Sequence, residues 1–233
     1  MNSPPRAAAL AVPGSGTLPS PDCSLCPRLA AFRETQRAAH PEWFNAPVPP
    51  FGESEAELLI VGLAPGLRGA NRTGRPFTGD YAGGLLYATL GRFRFAEGDY
   101  AAHPEDGLKL RHVRITNAVR CVPPQNRPEP SEVANCARFL AAEIGAMPQL
   151  RAILALGAIA HQAVVATLGL RRALFPFEHG RIHALPGGLT LADSYHCSRL
   201  NTNTRKLTPE MFEAIFAALS GCLNQTPREY AWT

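Results

Sequence analysis

His196 heads a polar run, Asp193-Ser-Tyr-His-Cys-Ser-Arg-Leu-Asn-Thr-Asn-Thr-Arg-Lys-Leu-Thr208, that follows a short apolar stretch. An imidazole placed there can donate to a leaving-group oxygen. Asn117 belongs to a second loop, Ile115-Thr-Asn-Ala-Val-Arg-Cys-Val-Pro-Pro-Gln-Asn126. Its carboxamide offers a donor beside an acceptor, which matches the adjacent carbonyl and N–H of a pyrimidine edge. A third loop runs from Gly62 to Asp80, with glycines at 62, 66, 69, 74 and 79 that let backbone approach a ligand closely. Its Arg68, Arg72 and Arg75 are spaced to meet phosphates. The Gly-Lys-Ser/Thr ending of a nucleotide-binding Walker loop is absent.

Cysteines add a second kind of chemistry. Cys23-x2-Cys26 is followed after 94 residues by Cys121 and after another 14 by Cys136, while Cys197 and Cys222 stand apart. Nothing at the start of the chain reads as a secretion signal, since the apolar stretch Ala7 to Val12 is short and is followed by Pro13. In a reducing cytosol the four thiolates read as a zinc or iron-sulfur site, and spacing alone does not choose between them.

These loops need a frame. The 233 residues, 45% hydrophobic and 18% charged, suit one globular domain of ordinary size with no membrane span. Residues 1–21, rich in Pro, Ala, Gly and Ser, read as a disordered tail, and the domain as residues 22–233. Four apolar runs, from Leu58 to Leu63, His112 to Val119, Arg151 to Leu156 and Leu189 to Tyr195, suit buried parallel strands. Helical patterns run over about Pro27 to Ala39, Gly84 to Phe93, Ser131 to Ile144, Ala158 to Leu168 and Pro209 to Cys222, with Ser131 and Thr208 as starts. The alternation predicts an α/β domain: a mainly parallel four-stranded sheet with helices on both faces. The three unusual loops follow strands and so meet at the carboxyl edge of that sheet, where such folds bind ligands.

Taken together, Gly62-Leu-Ala-Pro-Gly66, Asn71-Arg-Thr-Gly-Arg-Pro-Phe-Thr-Gly-Asp80, Thr116-Asn-Ala-Val-Arg-Cys121, the His196–Thr208 run and the four cysteines resemble the uracil-DNA glycosylase superfamily, in its iron-sulfur-containing family 5 branch. The resemblance spans about Cys23 to the last helix. It implies hydrolysis of the N-glycosidic bond of uracil in DNA, with the base flipped out of the stack, leaving an abasic site. By motif, Phe77 would stack on the base, Asn117 would read its pairing edge, and His196 would stabilise charge on it as it departs. Gly62, Leu63 and Ala64 would border it, while Arg199 and Leu200 would press into the duplex. Cys23, Cys26, Cys121 and Cys136 would hold a 4Fe-4S cluster of structural role.

One departure stands out. Relatives that activate water with a carboxylate carry it within two residues of the first glycine, where this chain has Leu63 and Ala64. Asn71 and Asp80 are the remaining candidates to position water. The small Ala64 side chain also suggests a roomier pocket, which by resemblance fits other deaminated bases such as hypoxanthine. With only Lys109 and Lys206 as lysines, Schiff-base strand cleavage is not expected, so the enzyme reads as monofunctional. The alternative is a non-catalytic DNA-binding protein with an iron-sulfur or zinc site, the former sensing redox state. The expectation is a monomer in the cytoplasm, associated with the bacterial nucleoid.

The net charge of +4 says little by itself. Ten of the 23 basic residues lie in three acid-free stretches, Gly62 to Gly79, Arg111 to Pro128 and Ser194 to Thr208. The remaining residues carry a net negative charge. That division predicts a basic binding edge on an acidic body, and binding that weakens steeply with salt.

Overall fold

The computed structural model describes residues 18–224. Four parallel strands, β1 (Leu58–Gly62), β4 (Val113–Asn117), β5 (Ala152–Leu156) and β7 (Thr190–Ser194), fall within the apolar runs. The order across the sheet is β4-β1-β5-β7-β6. A fifth strand, β6 (Ile182–Ala184), adds antiparallel to β7 at the edge. Its three residues carry no apolar run, because only its central His183 faces inward. A small hairpin, β2 (Ala96–Glu97) with β3 (Lys109–Leu110), stands apart.

Every residue of β1 and β5 is buried, as a sheet covered on both faces requires. Leu58 and Ile60 pack on one side with Leu86 and Leu90 of α3 (Tyr81–Arg92) and Phe212 and Phe216 of α7 (Pro209–Asn224). Leu59 and Val61 pack on the other with Leu140 of α4 (Pro130–Gly145) and Val164 of α5 (Ala158–Thr167). A third, smaller core joins Leu29 of α1 (Pro27–Ala39) to Val119, Cys136 and Phe139, with Cys23, Cys26 and Cys121 against it.

Two short helices escape the sequence patterns, α2 (Ala70–Thr73) and α6 (Arg199–Asn203), each a turn or so inside a candidate loop. Helix α3 starts at Tyr81, three residues ahead of the pattern, because Asp80 caps it by accepting from Gly83 N at 3.3 Å. At the start of α4 the capping carboxylate is Glu132, which accepts from Glu129 N at 2.7 Å, so Ser131 is not the cap. Thr208 does cap α7, its Oγ1 accepting from Met211 N at 3.2 Å. Of the proposed tail, residues 1–17 lie outside the described residues. Ser20 and Pro21 accept hydrogen bonds from Cys23 N and Arg37.

Candidate active site

Register brings the first two loops together. Gly62 and Asn117 are paired at the carboxyl ends of β1 and β4. The pairing continues beyond the strands, with Ala118 N donating to Gly62 O and Val119 N to Leu63 O, both at 2.9 Å. A side chain at position 62 would collide with Asn117 Oδ1 and come within 2.7 Å of Phe77 Cζ. The Asn117 amide and the Phe77 ring thus converge on a glycine because only a glycine leaves them room. The Phe77 and His196 rings lie 5.9 Å apart at 29°. The structure therefore brings Gly62, Phe77, Asn117 and His196 close together, and Leu63 and Ala64, next in the chain, are half-buried. A Gly62→Ala protein should keep its thermal stability to within a few degrees. Its pocket chemistry should slow by about a hundredfold, because reacting groups would be displaced by an ångström or more.

Phe77 has φ 54°, a left-handed conformation that costs a bulky residue energy and persists only where neighbours enforce it. Tyr100 Oη donates to Phe77 O at 3.1 Å and accepts from Gly79 N at 3.3 Å, while Tyr87 Oη donates to Pro76 O at 2.6 Å. Burial raises the Tyr87 phenol, so it remains a donor. Arg75 Nε donates to Thr78 Oγ1 at 2.7 Å, and its other nitrogens grip Asp106 at 2.7 Å each. The guanidinium lies 5.1 Å from the Phe51 ring centroid and 5.5 Å from that of Tyr87.

Arg75 is thereby a correction to the sequence reading. It is buried and ion-paired, and holds the Phe77 turn instead of facing phosphate. Arg120 and Arg114 are corrected likewise, both being paired to the buried Glu143. Arg68, Arg72, Arg127, Arg199, Arg205 and Lys206 remain exposed.

Asp80 and Asn71 both border the turn that starts at Gly66. The Asp80 carboxyl packs against Gly66 and Gly69, whose missing side chains make room for it. Burial raises its pKa, moving it toward the range in which a carboxylate can accept a proton near neutral pH. Asn71, 1% exposed, donates its backbone N–H to Gly66 O at 3.1 Å and its Nδ2 to Asn45 Oδ1 at 2.9 Å. His196 O accepts from Asn201 Nδ2 at 2.8 Å, which fixes the loop, and burial lowers the imidazole pKa, favouring the neutral ring. Helix α6 then presents Leu200, 72% exposed. Arg199 lies over the Tyr81 ring at 5.2 Å, and Thr202 Oγ1 donates to Tyr81 Oη at 3.0 Å.

Cys23, Cys26, Cys121 and Cys136 line a single small pocket between α1, α4 and the loop after β4. None is in a disulfide. Arg33 donates to Cys121 Sγ at 3.8 Å, Asn135 to Cys26 Sγ at 3.7 Å, and Arg120 N to Cys136 Sγ at 3.4 Å. Burial pushes the Cys121 thiol up to about 12 and Cys136 up to about 11. Deprotonating Cys121 and Cys136 therefore requires positive charge within the pocket. Buried Arg33 and Arg120 nitrogens without hydrogen-bond partners among the described residues stand beside it, which suits an anionic tetrathiolate assembly. Cys197 is fully buried elsewhere, and Cys222 is on α7.

Sequence reasoning missed the Asn45–Asn71 pair, the Tyr81 and Tyr100 contacts, and a buried His161–Asp193–His183 group. His161 Nδ1 lies 2.7 Å from Asp193 Oδ1, and its Nε2 lies 2.8 Å from Phe175 O. Burial lowers the His161 pKa, but the hydrogen bond to Asp193 outweighs it and the pKa is raised, which, with an acceptor at each ring nitrogen, favours the protonated ring. Only contacts distant in sequence define these groups, and no local motif signals them.

The family model for the uracil DNA glycosylase superfamily matches residues 49–220. A type-5 uracil-DNA glycosylase of Thermus thermophilus is 49% identical over 200 residues, covering 82% of this chain and 89% of that protein. One from Pyrobaculum aerophilum is 40% identical over 209 residues, covering 87% and 91%. A type-4 uracil-DNA glycosylase of Archaeoglobus fulgidus is 33% identical over 137 residues, covering 58% and 61%.

Proposed function

The chain belongs to the uracil DNA glycosylase superfamily, and from that membership we infer that it is a DNA-repair hydrolase that releases uracil from DNA. The observation that carries the reading is the convergence of Phe77 and Asn117 on Gly62, with the His196 ring 5.9 Å from that of Phe77. A flipped pyrimidine would lie against the Phe77 ring with its pairing edge on the Asn117 amide. As the bond from the base nitrogen to the sugar C1′ breaks, its electron pair stays on the base. The neutral His196 ring donates a hydrogen bond to the anionic oxygen that develops there. Water bonds to C1′ from the other side, oriented by Asn71, and gives its proton to Asp80. A purely DNA-binding or redox-sensing role gives no reason for a base-reading amide opposed to a histidine.

The thiol pocket supports a 4Fe-4S cluster held by Cys23, Cys26, Cys121 and Cys136, tying α1 to the loop after Asn117. Among the described residues, the one group of three metal-ligating atoms within 4.8 Å of one another is His161, His183 and Asp193. The four sulfurs are thus spread wider than the edge of a zinc tetrahedron, about 3.8 Å. When bound, the cluster supplies cross-linking of the chain, and no step of hydrolysis passes through it. Among the described residues no helix is long and apolar enough to cross a membrane. A cytoplasmic, nucleoid-associated monomer fits the reading.

The deciding experiment incubates the full-length iron-loaded protein with a duplex carrying one uracil, then heats it in alkali. Cleavage at that position is expected, and an uncut strand would sink the assignment. A hypoxanthine duplex should also be cut. Without heat or alkali both strands should stay intact, since Lys109 is on β3 and Lys206 lies over the Tyr195 ring at 4.6 Å. Binding should weaken with salt, and Arg199→Ala or Arg205→Ala should each lower the slope of log K against log salt by about one. A slope unchanged in both variants would remove them from the DNA-binding surface.

A further inference from the structure

We infer that Asn45 is a positioning residue that locks Asn71 as a hydrogen-bond acceptor and couples it to helix α1, which directly follows Cys26. The inference rests on Asn71 as the group that orients water. Asn45 Nδ2 donates to His40 O at 2.7 Å and to Gln36 O at 3.3 Å. Carbonyl oxygens only accept, so the amide cannot be turned the other way. Asn45 Oδ1 must therefore face Asn71, and Asn71 must answer with its Nδ2, which it does at 2.9 Å. The remaining atom, Asn71 Oδ1, is buried and has no hydrogen-bond partner among the described residues. An acceptor left unpaired in that position costs about 1–3 kcal/mol, so it is suited to a donor that arrives with the substrate or with water.

The same residue is gripped by α1 at a third point, where Arg37 Nε donates to Asn45 O at 3.0 Å. Helix α1 begins directly after Cys26, and its Arg33 donates to Cys23 O at 3.1 Å and to Cys121 Sγ at 3.8 Å. On the other side, Asn45 N donates to Asn71 O at 3.0 Å and Phe44 N to Arg72 O at 3.1 Å. A short chain of hydrogen bonds thus leads from the thiol pocket, through α1 and Asn45, to the loop that also carries Asp80. Asn45 has φ 44°, which asparagine tolerates better than most residues. One residue type satisfies the backbone, the two carbonyls and the partner amide at once.

The test is a double-mutant cycle on single-turnover uracil release by iron-loaded protein in excess over a uracil duplex. Asn45→Gly accepts the same backbone conformation without the side chain. Asn45→Gly and Asn71→Ala should each slow release about tenfold, the scale of one lost hydrogen bond, with duplex affinity within about twofold of the parent. The double variant should be no slower than Asn71→Ala alone. Multiplying losses would overturn the coupling while leaving Asn71 in its role, and a parental rate in Asn71→Ala would overturn both. Should Asn45→Gly fail to retain iron, Asn45→Asp replaces the donor by an acceptor at nearly the same volume. It should give the same loss without further loss in the Asn71→Ala background, and a parental rate for it would overturn the coupling.

Discussion

His196→Ala is expected to slow single-turnover uracil release by about 10²–10³, the cost of removing one preorganised donor from a developing anion. Duplex affinity should change little, because the proposed phosphate contacts are assigned to exposed arginines and not to His196. The size follows from how firmly the ring is placed. Its backbone carbonyl is tied to Asn201, and Phe77 lies against one side. Burial depresses the imidazole pKa below its ordinary value near 6.5, which favours the neutral ring that the proposed mechanism uses. The pH profile carries the sign. Across and above pH 7 the His196 contribution should be flat, and any change due to its protonation should appear only below the ordinary histidine range. A titration step above pH 6.5 that vanishes in His196→Ala would contradict the neutral-donor mechanism.

How far the sequence discloses this site depends on the range of the interactions. The four parallel strands were legible because burial on both faces writes them as unbroken apolar runs, as in Leu58 to Val61. Gly62, Asn117 and His196 were legible because each stands where a run ends, and the sheet aligns those ends. Strand β6 was not, since an edge strand of three residues around an inward His183 needs no apolar pattern. The arginines divide in the same way. Arg68 and Arg75 look alike in sequence, yet one is exposed and the other is claimed by Asp106, 31 residues away. Charge counts locate a basic stretch but not which of its charges are already neutralised. Arg114 and Arg120, both spent on Glu143, make the same point. The orientation of Asn71 was equally hidden, since it is set by two carbonyls of another segment.

Asp106→Ala should be the most destabilising single change at the site, by about 3–5 kcal/mol, because it strands a buried guanidinium among aromatic rings. For a chain of this size that corresponds to a fall in Tm of roughly 6–20 °C. Arg75 would keep Thr78 Oγ1 and Pro104 O as partners, but neither neutralises it. The pH dependence follows from the pair. Arg75 holds the Asp106 carboxyl well below the usual carboxylate range, with Leu108 N and Ala101 N adding hydrogen bonds. A depressed folded-state pKa contributes stability that is complete above the unfolded value, about 3.9, and is lost as pH falls below it toward the folded one. The parent should therefore lose Tm steeply below about pH 4, and Asp106→Asn should lose less over the same interval. Activity should follow stability here, because Arg75 and Thr78 brace the turn that keeps Phe77 at φ 54°. Release of that turn lets Phe77 relax out of the left-handed region and away from Gly62, so surviving Asp106→Asn protein should show a slower chemical step as well as a lower Tm. A Tm within 2 °C of the parent in Asp106→Ala would mean that the ion pair does not hold the turn, leaving the strain at Phe77 to Tyr87 and Tyr100 alone.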